Sequence, residues 1–158
     1  MPTPPTLRPY RPEDAPALAQ LFRETIHTVN RRDYTPAQVE AWAPAQIDLA
    51  RWQAKLASEE VVVAEVGGEL AGFCSWTADG YLNFIFVHHA QQRKGIAAAL
   101  YTAAEQALRA QGLARIHTQA SVTAQPFFAR QGFTVVKHQL VHVRGVDLPN
   151  AVMEKSLA

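Results

Sequence analysis

The sequence predicts an α/β protein, a single domain over residues 1–158 in which a mixed, mostly antiparallel sheet is flanked by helices. Three observations carry this. The hydrophobic repeat is helical through the first third of the chain, alternating from about residue 61, and helical again from about residue 92. The segment 81–88, Tyr-Leu-Asn-Phe-Ile-Phe-Val-His, is almost wholly apolar, as a strand covered on both faces must be. And 158 residues that are 48% hydrophobic and 18% charged, with no linker, repeat or charge block, have the profile of one globular domain.

A short strand near Leu7 opens the chain. Arg11-Pro12-Glu13-Asp14 then puts a proline and two carboxylates where the first turn of a helix favours them, and Ala15, Leu18, Ala19, Phe22, Ile26 and Val29 fall on one helical face. Thr35-Pro36-Ala37-Gln38 combines an N-cap, a first-turn proline and the glutamine of a capping box, so a second helix carries Val39 and Trp42 and stops before Pro44. Leu49, Trp52 and Leu56 mark a third. Residues 61–66 are β-branched, Gly67-Gly68 supplies a hairpin turn, residues 70–77 return, and Asp79-Gly80 turns the chain into the apolar strand 81–88. A long helix is expected from about Gln92, with Ile96, Ala99, Leu100, Ala103, Ala107 and Leu108 inward and Gly112 as its stop. Strand 114–119, a short helix 123–131 and strands 134–142 and 151–157 complete the order.

Composition excludes several function classes. Fifteen Lys plus Arg against 14 Asp plus Glu leave a net charge of +1, without the basic excess of a nucleic-acid or membrane-surface protein. One cysteine, Cys74, permits neither an internal disulfide framework nor a four-cysteine zinc site, and its alternation with Gly72 and Trp76 reads as a small buried hydrophobe. No apolar stretch behind Met1-Pro2-Thr3-Pro4-Pro5 serves as a signal peptide, and runs such as residues 96–100 fall far short of the ~20 needed to span a bilayer, so a cytoplasmic location is expected. No metal site is expected either. His88 and His89, if both extend the strand, point to opposite faces, and His27, His117, His138 and His142 lack ligand spacing with a partner.

The junction after the apolar strand is the informative segment. A strand ends, His88-His89-Ala90-Gln91 follows, and Gln92, Arg93, Lys94, Gly95, Ile96, Ala97 and Ala98 lead into a helix. Helix N-termini carry unpaired N–H groups and a partial positive charge, so such a loop can hold a phosphate with main-chain donors; Gly95 permits close approach, and Arg93 and Lys94 add charge. The loop alone fits equally well an ordinary strand-to-helix turn or a phosphate binder on another α/β fold.

The run Gln92-x-x-Gly95-x-Ala97 resembles the Q/R-x-x-G-x-G/A signature of the GCN5-related N-acetyltransferases (GNAT), and Phe86-Val87-His88 resembles its lead-in, with His89 where the family often has proline. Downstream, Ser121-x-x-Ala124-x-x-Phe127-Phe128-x-x-x-Gly132-Phe133 resembles the family's N-x-x-A-x-x-F-Y-x-x-x-G-F stretch. The resemblance implies a sheet splayed at the central strand. It also implies an enzyme that moves acetyl from acetyl-coenzyme A (acetyl-CoA), as co-substrate, directly to a small-molecule or peptide amine. Gln92, Arg93, Lys94, Gly95, Ile96, Ala97 and Ala98 would grip the pyrophosphate, Ser121, Phe127 and Phe128 would flank the pantetheine, and the backbone N–H groups of Phe86 and Val87 would face the acetyl oxygen. The family's tyrosine acid is here Phe128, without a hydroxyl, and its early-strand base falls at Tyr81 and Asn83, neither of which accepts a proton readily at neutral pH. Tyr81, His88 and Asp33 are therefore the side-chain catalytic candidates, and a module that binds coenzyme A with lost or weak catalysis is the alternative. The loop 30–34 would wall the acceptor site, with Asp33, Tyr34, Glu40 and Trp42 as candidates against a solvated connector in which Arg31 and Arg32 face water. Trp42 and Trp52 also fit the core by their helical spacing. The closing strands could pair two copies into a homodimer.

Overall fold

A computed structural model describes residues 3–158; Met1 and Pro2, the start of the segment read above as lacking a signal sequence, lie outside the described residues. Seven strands form one sheet: β1 (Thr6–Pro9), β2 (Glu60–Val66), β3 (Glu69–Trp76), β4 (Tyr81–Val87), β5 (Arg115–Ser121), β6 (Thr134–Val143) and β7 (Val146–Ser156), in the order β1-β2-β3-β4-β5-β7-β6. Only β4 and β5 pair in parallel; every other neighbour is antiparallel. The helices are α1 (Ala15–Thr28), α2 (Pro36–Trp42), α3 (Leu49–Ala57), α4 (Ile96–Ala110) and α5 (Gln125–Arg130). Among the described residues no helix is long and apolar enough to cross a membrane.

The caps read in the sequence form. Thr35 Oγ1 accepts from the Gln38 amide at 3.2 Å and Gln38 Oε1 accepts from the Thr35 amide at 2.8 Å. Asp14 accepts from the Arg11 amide at 2.8 Å and is also tied to the neighbouring strand: its two oxygens each take a 2.8 Å bond from Arg8, and these contacts, Arg8 foremost, hold its carboxyl below the usual range.

Two differences from the sequence reading matter for the site. The long helix begins at Ile96, not Gln92, because Arg93 (φ 62°) and Gly95 (φ 78°) take left-handed backbone that a helix does not propagate. The last strand begins at Val146, not Ala151: Arg144 (φ 44°) and Gly145 (φ 80°) form a tight turn that returns the chain along β6. Pro149 and Asn150 hid this hairpin, since both are poor strand formers.

Each face of the sheet has its own core. Leu100, Tyr101, Ala104 and Leu108 of α4 pack over Cys74, Trp76, Ile116 and Met153. On the other face Leu18, Phe22 and Ile26 of α1 and Trp52 and Leu56 of α3 cover Val63 and Phe73. The α4 side is fastened by Glu105, whose Oε1 takes bonds from Tyr101 Oη at 2.7 Å and Lys155 Nζ at 2.6 Å, while Oε2 takes one from Arg109 at 3.1 Å. Burial acts to raise this carboxyl, but those three donors outweigh it and hold the group at about 2 against an ordinary 4.5. A depressed carboxyl stabilises the fold above its unfolded value and loses that effect as pH falls through the folded one. Glu105→Gln is therefore expected to lower the melting temperature at pH 7 by about 3 °C, with the gap to wild type closing as pH drops from about 4.5 to 2; thermal melts across that range check it.

Candidate active site

β4 makes the site because its two edges differ. Toward β3 it is paired along its length, with one irregularity: Ser75 faces Phe84 and Trp76 faces Leu82, so Asn83 is an extra residue that bends the strand. Toward β5 it is paired only at Tyr81↔His117 and Leu82↔Thr118, where Thr118 Oγ1 also donates to the Leu82 carbonyl at 2.8 Å. Beyond Leu82 the strands separate, although β4 continues to Val87 and β5 to Ser121. The sheet is thus splayed at its central strand.

The alternation of β4 decides which amides the gap can use. His88 N–H donates to Ala71 on β3 at 2.7 Å, so Phe86, two residues earlier and opposite Phe73, also turns its backbone to β3. Val87 turns the other way: its carbonyl takes bonds from Gln92 Nε2 at 2.6 Å and Thr25 Oγ1 at 3.3 Å, both outside the sheet. The N–H groups of Ile85 and Val87 face the gap. The sequence expectation of Phe86 and Val87 as the donor pair is corrected accordingly, since the bulge at Asn83 sets a parity that no residue count along β4 reveals.

The gap runs into a groove of about 520 Å³ that ends at the start of α4. Gly95 occupies the N-cap position, and the first helical amide with a partner is Ala99, bonded to the Gly95 carbonyl at 3.0 Å. Among the described residues the N–H groups of Ile96, Ala97 and Ala98 meet no acceptor. A Cβ built on Gly95 would meet nothing within 4 Å, so the space over these amides is open. Gln92, Arg93, Gly95, Ile96, Ala97, Ala98, Ser121, Phe127 and Phe128 all line this groove. Lys94 does not; its Nζ bonds Gln91 Oε1 at 3.1 Å. The Gln92 side chain braces the end of β4, as described above, and leaves the open end to main-chain donors. Arg32 and Arg130 join Arg93 as exposed cations on the groove wall; Arg32, read as a solvated connector, is drawn there by the turn Asn30–Arg32, and no motif marked Arg130.

A second, smaller cavity of about 170 Å³ opens on the other side of β4 and shares Trp42, Asn83, Phe86, Gln119 and Ser121 with the groove. Its walls come from α1 (Phe22), the α1–α2 connection (Tyr34), β4 (Tyr81, Phe84) and the β6–β7 hairpin (Val141, Leu148, Asn150). Tyr34 donates to the Pro149 carbonyl at 2.6 Å and accepts from the Val122 amide at 2.9 Å, pinning the hairpin to the sheet. Burial pushes the phenols of Tyr34 and Tyr81 up, so both stay protonated at neutral pH.

The remaining candidates fall elsewhere. Asp33 is exposed, accepts from Thr123 Oγ1 at 2.8 Å and lines neither cavity. Glu40 accepts from the Ala45 amide at 2.9 Å and lies near Arg23 and His27 on the surface. His88 also lines neither cavity: β4 ends at Val87, and His88 caps the turn His89–Gln91 by accepting from the Ala90 amide through Nδ1 at 3.0 Å. Because that turn replaces extended strand, His88 and His89 do not diverge; their rings stack at 4.2 Å, with His88 Nε2 3.6 Å from Glu24. Trp42, read also as a core residue, stands between the two cavities.

Ser121 was legible only as a shortened asparagine, and its geometry adds to that. Its Oγ accepts from the Ala124 amide at 3.1 Å and Asn30 Nδ2 at 3.5 Å, while its own proton has no acceptor among the described residues, at the point where groove and cavity meet. Glu59 had no signal at all. Its side chain is 1% exposed and bonded by Ser75 Oγ at 2.7 Å and Asn83 Nδ2 at 2.8 Å, behind the cavity wall.

Comparison with known proteins places this geometry. Residues 30–156 match the model of the acetyltransferase (GNAT) domain. An N-acetyltransferase of Escherichia coli K12, YafP, named as uncharacterized, is 35% identical over 147 residues, 93% of each chain. A crystal structure of a GCN5-related N-acetyltransferase from Rhodopseudomonas palustris, also named as a class-II aminotransferase, is 32% identical and superposes with a TM-score of 0.95 over 99% of this chain and 98% of that one. PaiA N-acetyltransferase from Thermoplasma acidophilum, solved with coenzyme A, shares the fold at 19% identity, with a TM-score of 0.70 over 97% and 99% of the two chains.

Proposed function

The chain belongs to the acetyltransferase (GNAT) domain family and is an acetyl-CoA-dependent N-acetyltransferase, and from that premise we propose that the groove holds acetyl-CoA while the aromatic cavity across β4 receives the amine. The observation that carries this is one continuous path: the open edge of β4 leads from the Ile85 and Val87 amides directly to the unpartnered N–H groups of Ile96, Ala97 and Ala98.

The residues present fit the co-substrate. Three free amides at a helix N-terminus, beside a glycine that leaves the space above them open, suit a pyrophosphate, and Arg32, Arg93 and Arg130 suit its remaining charge. An edge with free donors suits an extended amide chain, which can pair with it as another strand would. Acetyl-CoA supplies an activated acetyl group and a thiol leaving group. The protein orients it: the Val87 amide sits where an oxygen gaining negative charge would be held, and removal of such a donor typically costs ~100-fold or more in rate. Phe128 cannot donate a proton, and Ser121, whose hydroxyl proton is unengaged at the meeting point, is the group placed to pass one to the departing sulfur.

Titration calorimetry with acetyl-CoA, followed by thiol release with an amine panel, tests the reading. One-to-one binding and amine-dependent release are expected, and Ser121→Ala should lower kcat by about 100-fold while leaving acetyl-CoA affinity within about twofold. Binding without release over the panel would contradict the catalytic half, and equal kcat in Ser121→Ala would remove Ser121 from the proton path.

A further inference from the structure

We infer that the amine accepted in the small cavity is an arylamine: a single aromatic ring whose nitrogen is already uncharged at neutral pH. This deepens the proposed function and rests on the assignment of that cavity to the acceptor.

Three observations converge on it. The cavity has the volume of about one ring: about 170 Å³ is close to the ~150 Å³ apolar cavity that takes up benzene. Its walls are rich in aromatic and aliphatic side chains, with Phe22, Trp42, Phe84, Phe86, Val141 and Leu148 beside the uncharged polar groups of Asn83, Gln119, Ser121 and Asn150, and rings within the wall pack edge-on, as Phe22 and Phe86 do at 5.1 Å and 78°. And among the described residues no carboxylate, imidazole, lysine or arginine lines it. Its only titratable groups among the described residues are the phenols of Tyr34 and Tyr81, both pushed up by burial. Glu59, paired with Lys55 at 3.4 Å, stands behind Asn83 with its oxygens taken by Asn83 and Ser75, and His117 lies beneath the Tyr81 ring at 5.3 Å outside the cavity.

An alkyl ammonium or polyamine must lose a proton before its nitrogen can attack, and nothing on these walls can take one. Burying such a cation without a carboxylate is also unfavourable. An arylamine needs neither service. What it does need is an acceptor for its N–H groups, and two side-chain amides provide that. Asn150 lines this cavity, and its buried Oδ1 has no partner among the described residues, an unpaired acceptor that costs free energy as it stands. Asn83 has Nδ2 committed to Glu59, which leaves Oδ1 to accept.

In the step this implies, the nitrogen lone pair forms the bond to the acetyl carbon and the carbon–sulfur bond breaks with its pair going to sulfur. One N–H proton leaves nitrogen and one proton reaches sulfur, through the Ser121 hydroxyl. The products are an N-acetylarylamine and the free thiol, with no net acid or base consumed.

The test is steady-state thiol release with aniline, benzylamine and spermidine on protein whose acetyl-CoA binding has been measured by calorimetry. Benzylamine carries the same ring on a basic nitrogen. The expected result is kcat/KM for aniline about tenfold or more above both others, and flat between about pH 6 and 9 because no wall group titrates there. Asn150→Leu should raise KM for aniline about fivefold with acetyl-CoA affinity unchanged, and Asn150→Asp, of the same shape but charged, should shift the preference toward benzylamine. Acetyl-CoA binding with benzylamine or spermidine preferred, or with a rate for aniline that rises with pH, would overturn the inference and leave the transferase assignment standing. Absence of acetyl-CoA binding would overturn both.

Discussion

Gly95→Glu is expected to weaken acetyl-CoA binding by at least about 100-fold while the protein remains folded. A Cβ at this position meets no atom within 4 Å, so the side chain leaves the backbone into open space. Left-handed backbone at φ 78° costs a residue with a Cβ about 1–2 kcal/mol, and a carboxylate at a helix N-terminus returns part of that by accepting from the free amides. It thereby occupies the donors of Ile96, Ala97 and Ala98 and places a negative charge where the pyrophosphate would lie. Gly95→Ala separates the two effects: it carries the backbone strain without the charge, and its affinity should fall only several-fold. Calorimetric titration of both variants, with circular dichroism melts to confirm folding, reads the difference.

Phe73→Ala is expected to destabilise the fold by about 3–5 kcal/mol, a large share of the ~10 kcal/mol typical of a domain. Phe73 is fully buried at the centre of β3, with Phe84, Phe86 and Trp52 centroids at 5.8, 6.0 and 6.1 Å. Its ring supports Phe84 and Phe86, which in turn form the floor of the small cavity. Chemical denaturation gives the stability loss. At a temperature where the variant is still folded, KM for the amine should rise more than the Kd for acetyl-CoA, because of the two rings it supports Phe84 lines the cavity alone and Phe86 lines cavity and groove together.

Most of the fold could be read from the sequence because its local signals agree with its packing. The capping box at Thr35, the double-glycine turn at 67–68 and the apolar run of β4 each specify structure within a few residues. The groove was legible for the same reason, since a glycine at a strand-to-helix junction is a local feature. The cavity was not. It is assembled from α1, α2, β4 and a hairpin about 100 residues away, and the hairpin was itself obscured by Pro149 and Asn150. Asn150 and Glu59 acquire meaning only from neighbours distant in sequence. Phe86 was misassigned as an amide donor because a single bulge at Asn83 reverses which residues of β4 face the gap. Asp33 follows from the loop 30–34 and His88 from its imidazole, but the turns Asn30–Arg32 and His89–Gln91 carry both away from the cavities.

Amide chemical shifts of the labelled protein, followed as acetyl-CoA is added, test the central claim most directly. The account predicts the largest shifts at Ile85, Val87, Gly95, Ile96, Ala97 and Ala98, with a much smaller change at Phe86, whose N–H is committed to β3. Shifts centred on the outer part of β6, or equal shifts along every residue of β4, would contradict the assignment of the open strand edge and the α4 N-terminus as the acetyl-CoA site.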